Sequence, residues 1–324
     1  MQMKAAPNSM LKANIPSRPK RLTWYSGAAG ALIGAVLLAA NATGMIVNFN
    51  RPELHVPVQR TWEQARSFEW VMNRLYAVDR TRGRWSNIVL VRILNAVVHQ
   101  RMVNYHAADN EAYSIFSVGF FDNWILWAAA KIQPEKYRDY FMLDPYRALR
   151  RGTGMCGQKV LTLVGLLQER GLKGGVLGLH NHVVVWAEID AAGRYVIADP
   201  DYGVVIPADL PTIKASPALI GAGYADTVNL IRRHLKALDG SEGLLDDRED
   251  FTLMINDAYT KASEVTKFPA GVDNSFGNTL AFEAAIYTLK WLIPVFLMLP
   301  WTLGLLFRRY RIFIRGGAPA LGQV

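Results

Sequence analysis

An α+β domain carried between two membrane-spanning helices is the fold class this sequence predicts. Three observations carry it. Two long uncharged apolar runs stand towards the ends of the chain, amphipathic helical patterns fill much of the interval, and residues 156–206 pass from an apolar helix into β-branched strands.

The first apolar run, WYSGAAGALIGAVLLAANATGMIV, covers Trp24–Val47, 24 residues without a charge. The second, WLIPVFLMLPWTLGLLF, covers Trp291–Phe307, and with Lys290 at its edge it places a span over 285–307. A bilayer core needs about 20 apolar residues. Trp24, Tyr25, Trp291 and Trp301 suit the two interfaces. AANA at 39–42 carries the A-x-A pattern of a cleavable signal peptide, but the long basic leader and the length of the run favour an uncleaved anchor. Pro294 and Pro300 predict a kinked second span unless neighbouring groups take up the freed carbonyls.

The formal charge of +9 would suit a nucleic-acid binder if it were spread over the domain, but it is not. Lys4, Lys12, Arg18, Lys20 and Arg21 lie in 1–23 with no acid, and Arg308, Arg309, Arg311 and Arg315 lie in 308–324. These nine account for all of it, so the chain between the tails is neutral overall. Basic residues beside both spans place both termini in the cytoplasm and the intervening loop outside it, in a bacterium the periplasm. The expected partners are the lipid bilayer, other inner-membrane proteins and an envelope protein or peptide as substrate, with no nucleic acid.

The resulting organisation is a cytoplasmic basic tail over 1–23, a span over 24–47, a helical region over 48–135, a core over 136–206, a second helical region over 207–284, a span over 285–307 and a basic tail over 308–324. After an extended linker, NRPELHVPVQ, the three- and four-residue apolar spacing predicts helices in 61–78 and 84–105. FFDNWILWAAAKI, 120–132, is too short for a span and reads as a buried core helix, with Asp122 as a capping residue. Segments 207–238 and 248–265 also read as helical, and no internal repeat appears.

In the core, GTGMCGQ leads into a helix from Cys156, with Val160, Leu163, Val164 and Leu167 on one face and Leu161 and Leu166 broadening it. Gly171 is its stop. HVVVWAEI and RYVIADPDYG then form a hairpin turning at Ala191 and Ala192. If Asp190 pairs with Gly193, His182 faces Asp201 and Asp199 is its diagonal neighbour on the same face; a one-residue slip would separate them.

Cys156 is the only cysteine, so no intrachain disulfide can form, and a lone thiol in an oxidising compartment is exposed to oxidation. The thiolate is the nucleophile, and a helix N-terminus and an adjacent imidazolium both favour it. His182 can supply the imidazolium and Asp199 can orient it. Gly154 and Gly157 leave room for a substrate carbonyl near the helix-start N–H groups.

This order of a cysteine at a helix start, a histidine opening a strand and an aspartate closing the next resembles the transglutaminase-like superfamily of papain-type thiol enzymes. GTGMCGQKVLTLVGLLQERGL, HNHVVVWAEI and YVIADPDYG carry the likeness. FFDNWILW and DPYRALRRGTGMCGQ further resemble membrane-anchored bacterial members, some tied to cell-envelope or exopolysaccharide functions. The resemblance implies a papain-like core with the cysteine helix packed on an antiparallel sheet, and a catalytic triad of Cys156 as nucleophile, His182 as base and acid, and Asp199 as orienting group. It also implies an upstream oxyanion donor, for which Asn123 and Trp124 are the candidates. The expected activity is cysteine acyl transfer at amide bonds without a cofactor; the alternative is a non-catalytic subunit of an envelope or exopolysaccharide assembly. His180 competes with His182, and Asp201 with Asp199. A zinc set of Cys156, His180, His182 and Asp199 is disfavoured by the missing second cysteine. Trp186 and Glu188 read as packing and solvent contacts, and Tyr202 and Gly203 as turn residues.

Overall fold

The computed structural model describes residues 19–47, 65–103, 116–180, 182–226, 254–261 and 279–316. The linker after the first span, residues 227–238 of the helix expected over 207–238, residues 248–253 and 262–265 of that expected over 248–265, and the outermost parts of both basic tails lie outside them. The chain divides into two compact units, one of Met1–Ala40 with Trp291–Val324 and the other of Asn41–Lys290.

The first unit consists of the greater parts of α1 (Pro19–Ile46) and of a long C-terminal helix (Leu280–Gly316). Both helices are long and apolar enough to cross a membrane, over Tyr25–Ile46 and Leu280–Arg311, and α1 lies near the N-terminus. Glycines let their backbones meet: a Cβ at Gly34 would stand 2.5 Å from the Pro294 carbonyl, and one at Gly30 3.2 Å from that of Leu297. The C-terminal helix runs on through Pro294 and Pro300.

The second unit is a mixed α+β fold, mostly helical, around a four-stranded antiparallel sheet. In order it has α2 (Phe68–Arg80), α3 (Asn87–Arg101), α4 (Phe120–Ile132), α5 (Pro145–Arg151), α6 (Cys156–Glu169), β1 (Gly174–Leu179), β2 (His182–Glu188), β3 (Tyr195–Asp199), β4 (Val204–Ile206) and α7 (Leu210–Ala215). The C-terminal helix is α8. The strands form a meander in the order β1-β2-β3-β4.

Strand alternation sends the two sheet faces to different cores. Val176, Val185, Ala187, Val196 and Ala198 join α2, α3, α5 and α6 in the larger one. Leu177, Val184, Ile197, Val204 and Ile206 join α7 and the helical segments 218–226 and 254–260 in the smaller. α6 is the central helix. Val160, Leu161, Leu163, Val164, Leu166 and Leu167 are all buried, since α6 lies between the sheet and helices α3 and α5. Gly171, at φ +68°, adopts the left-handed conformation after its last turn, and the Leu172 N–H returns to the Leu167 carbonyl at 3.0 Å.

The sequence reading needs several corrections. It found one hairpin where four strands occur: the glycines of GGVLGL hide β1, and the three residues of β4 are too few for a pattern. The helix expected over 207–238 is interrupted within its described part at Ser216 and Pro217. α4 is not a buried core helix. Of its 13 residues only Asn123 and Leu126 are buried. Asp122 does not cap it; its carboxylate accepts from the Tyr287 hydroxyl at 3.2 Å.

Candidate active site

The β2–β3 register is the predicted one: Val185 pairs with Ala198, Trp186 with Ile197, Ala187 with Val196 and Glu188 with Tyr195. The turn that sets it is built by Asp190, whose Oδ1 accepts from the N–H groups of Ala192 at 3.0 Å and Arg194 at 3.2 Å. Gly193 supplies the positive φ of +76° that closes it. This register brings the start of β2 to the end of β3, so His182 and Asp199 share one end of the sheet. His182 Nε2 lies 2.8 Å from Asp199 Oδ2, with the side chains 10% and 1% exposed. The Cys156 side chain acts on the same imidazole as a hydrogen-bonding neighbour.

DPYRALRRGTGMCGQ is the segment that positions the thiol. Asp144 caps α5 through the N–H groups of Tyr146 and Arg147 at 2.9 and 3.1 Å, and Pro145 takes the first helical position. Gly152 ends α5 at φ +71°, where a Cβ would meet the Arg101 guanidinium 2.6 Å away. That guanidinium collects the Leu149, Arg150 and Arg66 carbonyls at 2.7, 3.0 and 2.9 Å. Thr153 then bridges Val103, which fixes the approach to α6. Gln158 locks the first turn: its Nε2 donates to the Met142 carbonyl and its Oε1 accepts from the Met142 N–H, both at 2.7 Å. Arg151 donates to the same Oε1 at 2.7 Å. Gly154 is required by packing, not left open for substrate: a Cβ there would stand 2.7 Å from the Gln158 side chain.

Cys156 opens α6 and is partly exposed. The first N–H groups of a helix have no intrahelical acceptor, so those at this end are available to a developing oxyanion.

Asp199 serves two purposes at once. Its Oδ1 accepts from the Asp201 N–H at 2.9 Å and the Tyr202 N–H at 3.4 Å, which makes the turn into β4. Its Oδ2 accepts from the Tyr224 hydroxyl at 2.6 Å as well as facing His182. Tyr224 in turn lies 3.1 Å from the Tyr259 hydroxyl. Tyr202 stacks at a tilt on His182 with ring centroids 5.8 Å apart. Burial alone would push the His182 imidazole down, but the Asp199 carboxylate and its hydrogen bond hold it well above the ordinary histidine value. Burial likewise opposes the Asp199 charge, yet His182, the Tyr224 hydroxyl and the Asp201 N–H hold its carboxyl below the usual range. Burial and the neighbouring carboxylate raise the Tyr224 phenol well above its ordinary value, so it stays a donor.

From behind, α3 secures the β3–β4 turn. Asn95 Nδ2 donates to the Val204 carbonyl at 3.1 Å, and His99 Nδ1 lies 3.1 Å from the Asp201 carbonyl. Gly203, at φ +73°, passes so near His99 that a Cβ would stand 2.7 Å from its ring.

The rival residues are placed elsewhere. His180 is exposed in the β1–β2 turn, off the strand on which the sequence put it, and its N–H donates to the Ala258 carbonyl at 3.2 Å. Asp201 belongs to Lys159, whose Nζ lies 3.0 Å from its Oδ1, both side chains buried. Asn123 is extended (φ −152°, ψ 98°) and its Oδ1 caps the rest of α4 through Ile125 and Leu126 N–H at 3.1 and 3.2 Å. Trp124 donates its indole N–H to the Lys290 carbonyl at 3.3 Å. That carbonyl lacks its intrahelical partner because Pro294 has no N–H, and Asn41 Nδ2 donates to it at 2.7 Å. Trp124 thus satisfies a proline-freed carbonyl. Glu188 pairs with Lys173 at 3.3 Å near the surface, and Trp186 packs edge-on to Tyr195.

Sequence reasoning missed Tyr224, Tyr259, Lys159, Asn95 and His99. Lys159 alone carried a signal, as a cation within an apolar helix face. Among the described residues no group of three or more His, Cys, Asp or Glu could hold a metal ion. No family model matches this chain, and no curated protein or solved structure matches it.

Proposed function

We propose that this chain is a membrane-anchored cysteine acyl-transfer enzyme of the transglutaminase-like kind, acting on amide bonds of envelope proteins or peptides outside the cytoplasm. One observation carries the reading: the Asp199 carboxylate holds the His182 imidazole at 2.8 Å, and the Cys156 side chain acts on the same ring as a hydrogen-bonding neighbour. The positive-inside distribution of the tails supports the address, with both termini cytoplasmic and residues 48–284 periplasmic.

His182, kept cationic by Asp199, holds the Cys156 thiolate. The sulfur attacks the amide carbonyl, a C–S bond forms, and the oxyanion is held by N–H groups at the α6 start. As the C–N bond breaks, His182 passes its proton to the leaving amine. His182, now neutral, takes a proton from water or from an acceptor amine, which attacks the thioester and releases Cys156. Water completes hydrolysis, and an amine completes transamidation. Asp199 remains ionised throughout and keeps the imidazole turned to the sulfur.

A trapped adduct tests the reading. After exposure to envelope extract and rapid acid quenching, the peptide around residue 156 gains an acyl mass, and Cys156→Ala shows none. An unmodified peptide throughout, with the protein folded, would support an inert subunit in place of an enzyme.

A further inference from the structure

α4 is an apolar helix that the fold does not bury. It is the sequence FFDNWILWAAAKI, and Leu126 is its only buried hydrophobic side chain. Trp127 is 40% and Ile132 78% exposed. Phe121, at 37%, is exposed as well, while Phe120, Trp124, Ile125 and Ala128–Ala130 are partly buried.

Its neighbours identify what covers it. Within the unit 41–290, α4 is bound to the near ends of both long apolar helices. The Phe121 carbonyl lies against Gly44 so closely that a Cβ on the glycine would overlap it. Lys290 Nζ donates to the Asp122 carbonyl, and Trp124 Nε1 to the Lys290 carbonyl at 3.3 Å. Asn41 joins them at the same carbonyl. Lys290 immediately precedes the uncharged run Trp291–Phe307, and Gly44 lies in the last turn of Tyr25–Ile46. α4 therefore packs on the ends of α1 and α8 that belong to its own unit, next to their uncharged runs.

We infer that α4 is an interfacial helix whose exposed C-terminal turns, from Trp127 to Ile132, enter the outer leaflet and are covered by lipid, with the Lys131 ammonium kept at the headgroups. This rests on the reading of α1 and α8 as membrane spans. Tryptophan and lysine flanking an apolar face suit the headgroup boundary, with Lys131 reaching outward. Docked in this way, the domain is held against the membrane at α4 as well as by its two tethers.

The test uses the full chain, in a Cys156→Ser background, reconstituted in phosphatidylcholine vesicles. A fraction of the lipid carries a nitroxide near the headgroup end of the acyl chain. An environment-sensitive fluorophore is attached in turn at Trp127→Cys, Ile132→Cys, Phe296→Cys as the span reference and Lys173→Cys as the aqueous one. The inference expects blue-shifted emission and loss of fluorescence to the nitroxide lipid at 127 and 132, with iodide quenching only at 173. Quenching at 127 and 132 by iodide alone, or protection there from both quenchers, overturns it while a lipid-quenched 296 upholds the spans. A label at 296 that lipid does not quench overturns the span reading itself.

Discussion

The Tyr224 hydroxyl donates to Asp199 Oδ2 at 2.6 Å, on the same oxygen that faces His182. It is a buried, charge-assisted hydrogen bond from outside the hairpin, so the helical segment 218–226 helps to orient the candidate catalytic aspartate. Tyr224→Phe keeps the ring contacts with Tyr202 and Tyr259 and removes this bond together with the 3.1 Å contact to the Tyr259 hydroxyl. Its expected cost is about 1.5–3 kcal/mol, the range for hydrogen bonds to charged groups. Chemical denaturation should show it, together with a slower alkylation of Cys156 in the folded protein.

The His182–Asp199 pair makes stability depend on pH with a definite sign. His182 is raised above 6.5, so its contribution is complete below 6.5 and is lost as pH climbs through the folded value. Asp199 is lowered from 3.8, so its contribution is complete above 3.8 and is lost as pH falls through the folded value. The pair is therefore at full strength between 3.8 and 6.5. Thermal unfolding of wild type against Asp199→Asn in detergent should show the widest Tm gap in that window, narrowing on the alkaline side.

Lys159 and Asp201 form a second buried ion pair beneath the first turn of α6. Removing one partner strands the other charge, at a cost of roughly 3–5 kcal/mol. Lys159→Met should therefore lower the unfolding midpoint sharply. Lys159→Met with Asp201→Leu should recover much of the loss, measured by the same denaturation in a double-mutant cycle.

Glu283 fastens the start of α8 to the segment before α5. Its carboxylate accepts from the Leu143 N–H at 2.7 Å, the Asp144 N–H at 3.2 Å and Arg147 Nη1 at 2.9 Å. Arg147 also lies over the Tyr287 ring, 3.9 Å from its centroid. Glu283→Ala leaves two backbone donors and a guanidinium without this acceptor, a loss of roughly 2–4 kcal/mol. Limited proteolysis near residues 138–144 should accelerate in that variant, while Glu283→Gln keeps an acceptor and shows a smaller change.

What was legible in the sequence follows from the range of the forces involved. The β2–β3 register could be derived because DAAG turns over four residues and the strands alternate, both local signals. Cys156 at a helix start was legible for the same reason. The long-range partners of Asp199 were not. Tyr224 and Tyr259 approach it from 25 and further residues away, and no spacing rule links a tyrosine to a distant carboxylate. The partner of the Trp124 indole was equally hidden: it is the Lys290 carbonyl, freed by Pro294 far along the chain. α4 was read as core because hydropathy cannot distinguish protein interior from lipid as the medium that receives an apolar face.

Iodoacetamide alkylation of Cys156 as a function of pH, in wild type and His182→Ala, tests the central claim most directly. The account predicts that folded wild type is modified rapidly well below pH 7 and that His182→Ala moves the reaction to the alkaline side. A wild-type rate that rises only towards the ordinary thiol range of about 8.5, unchanged by His182→Ala, would contradict it.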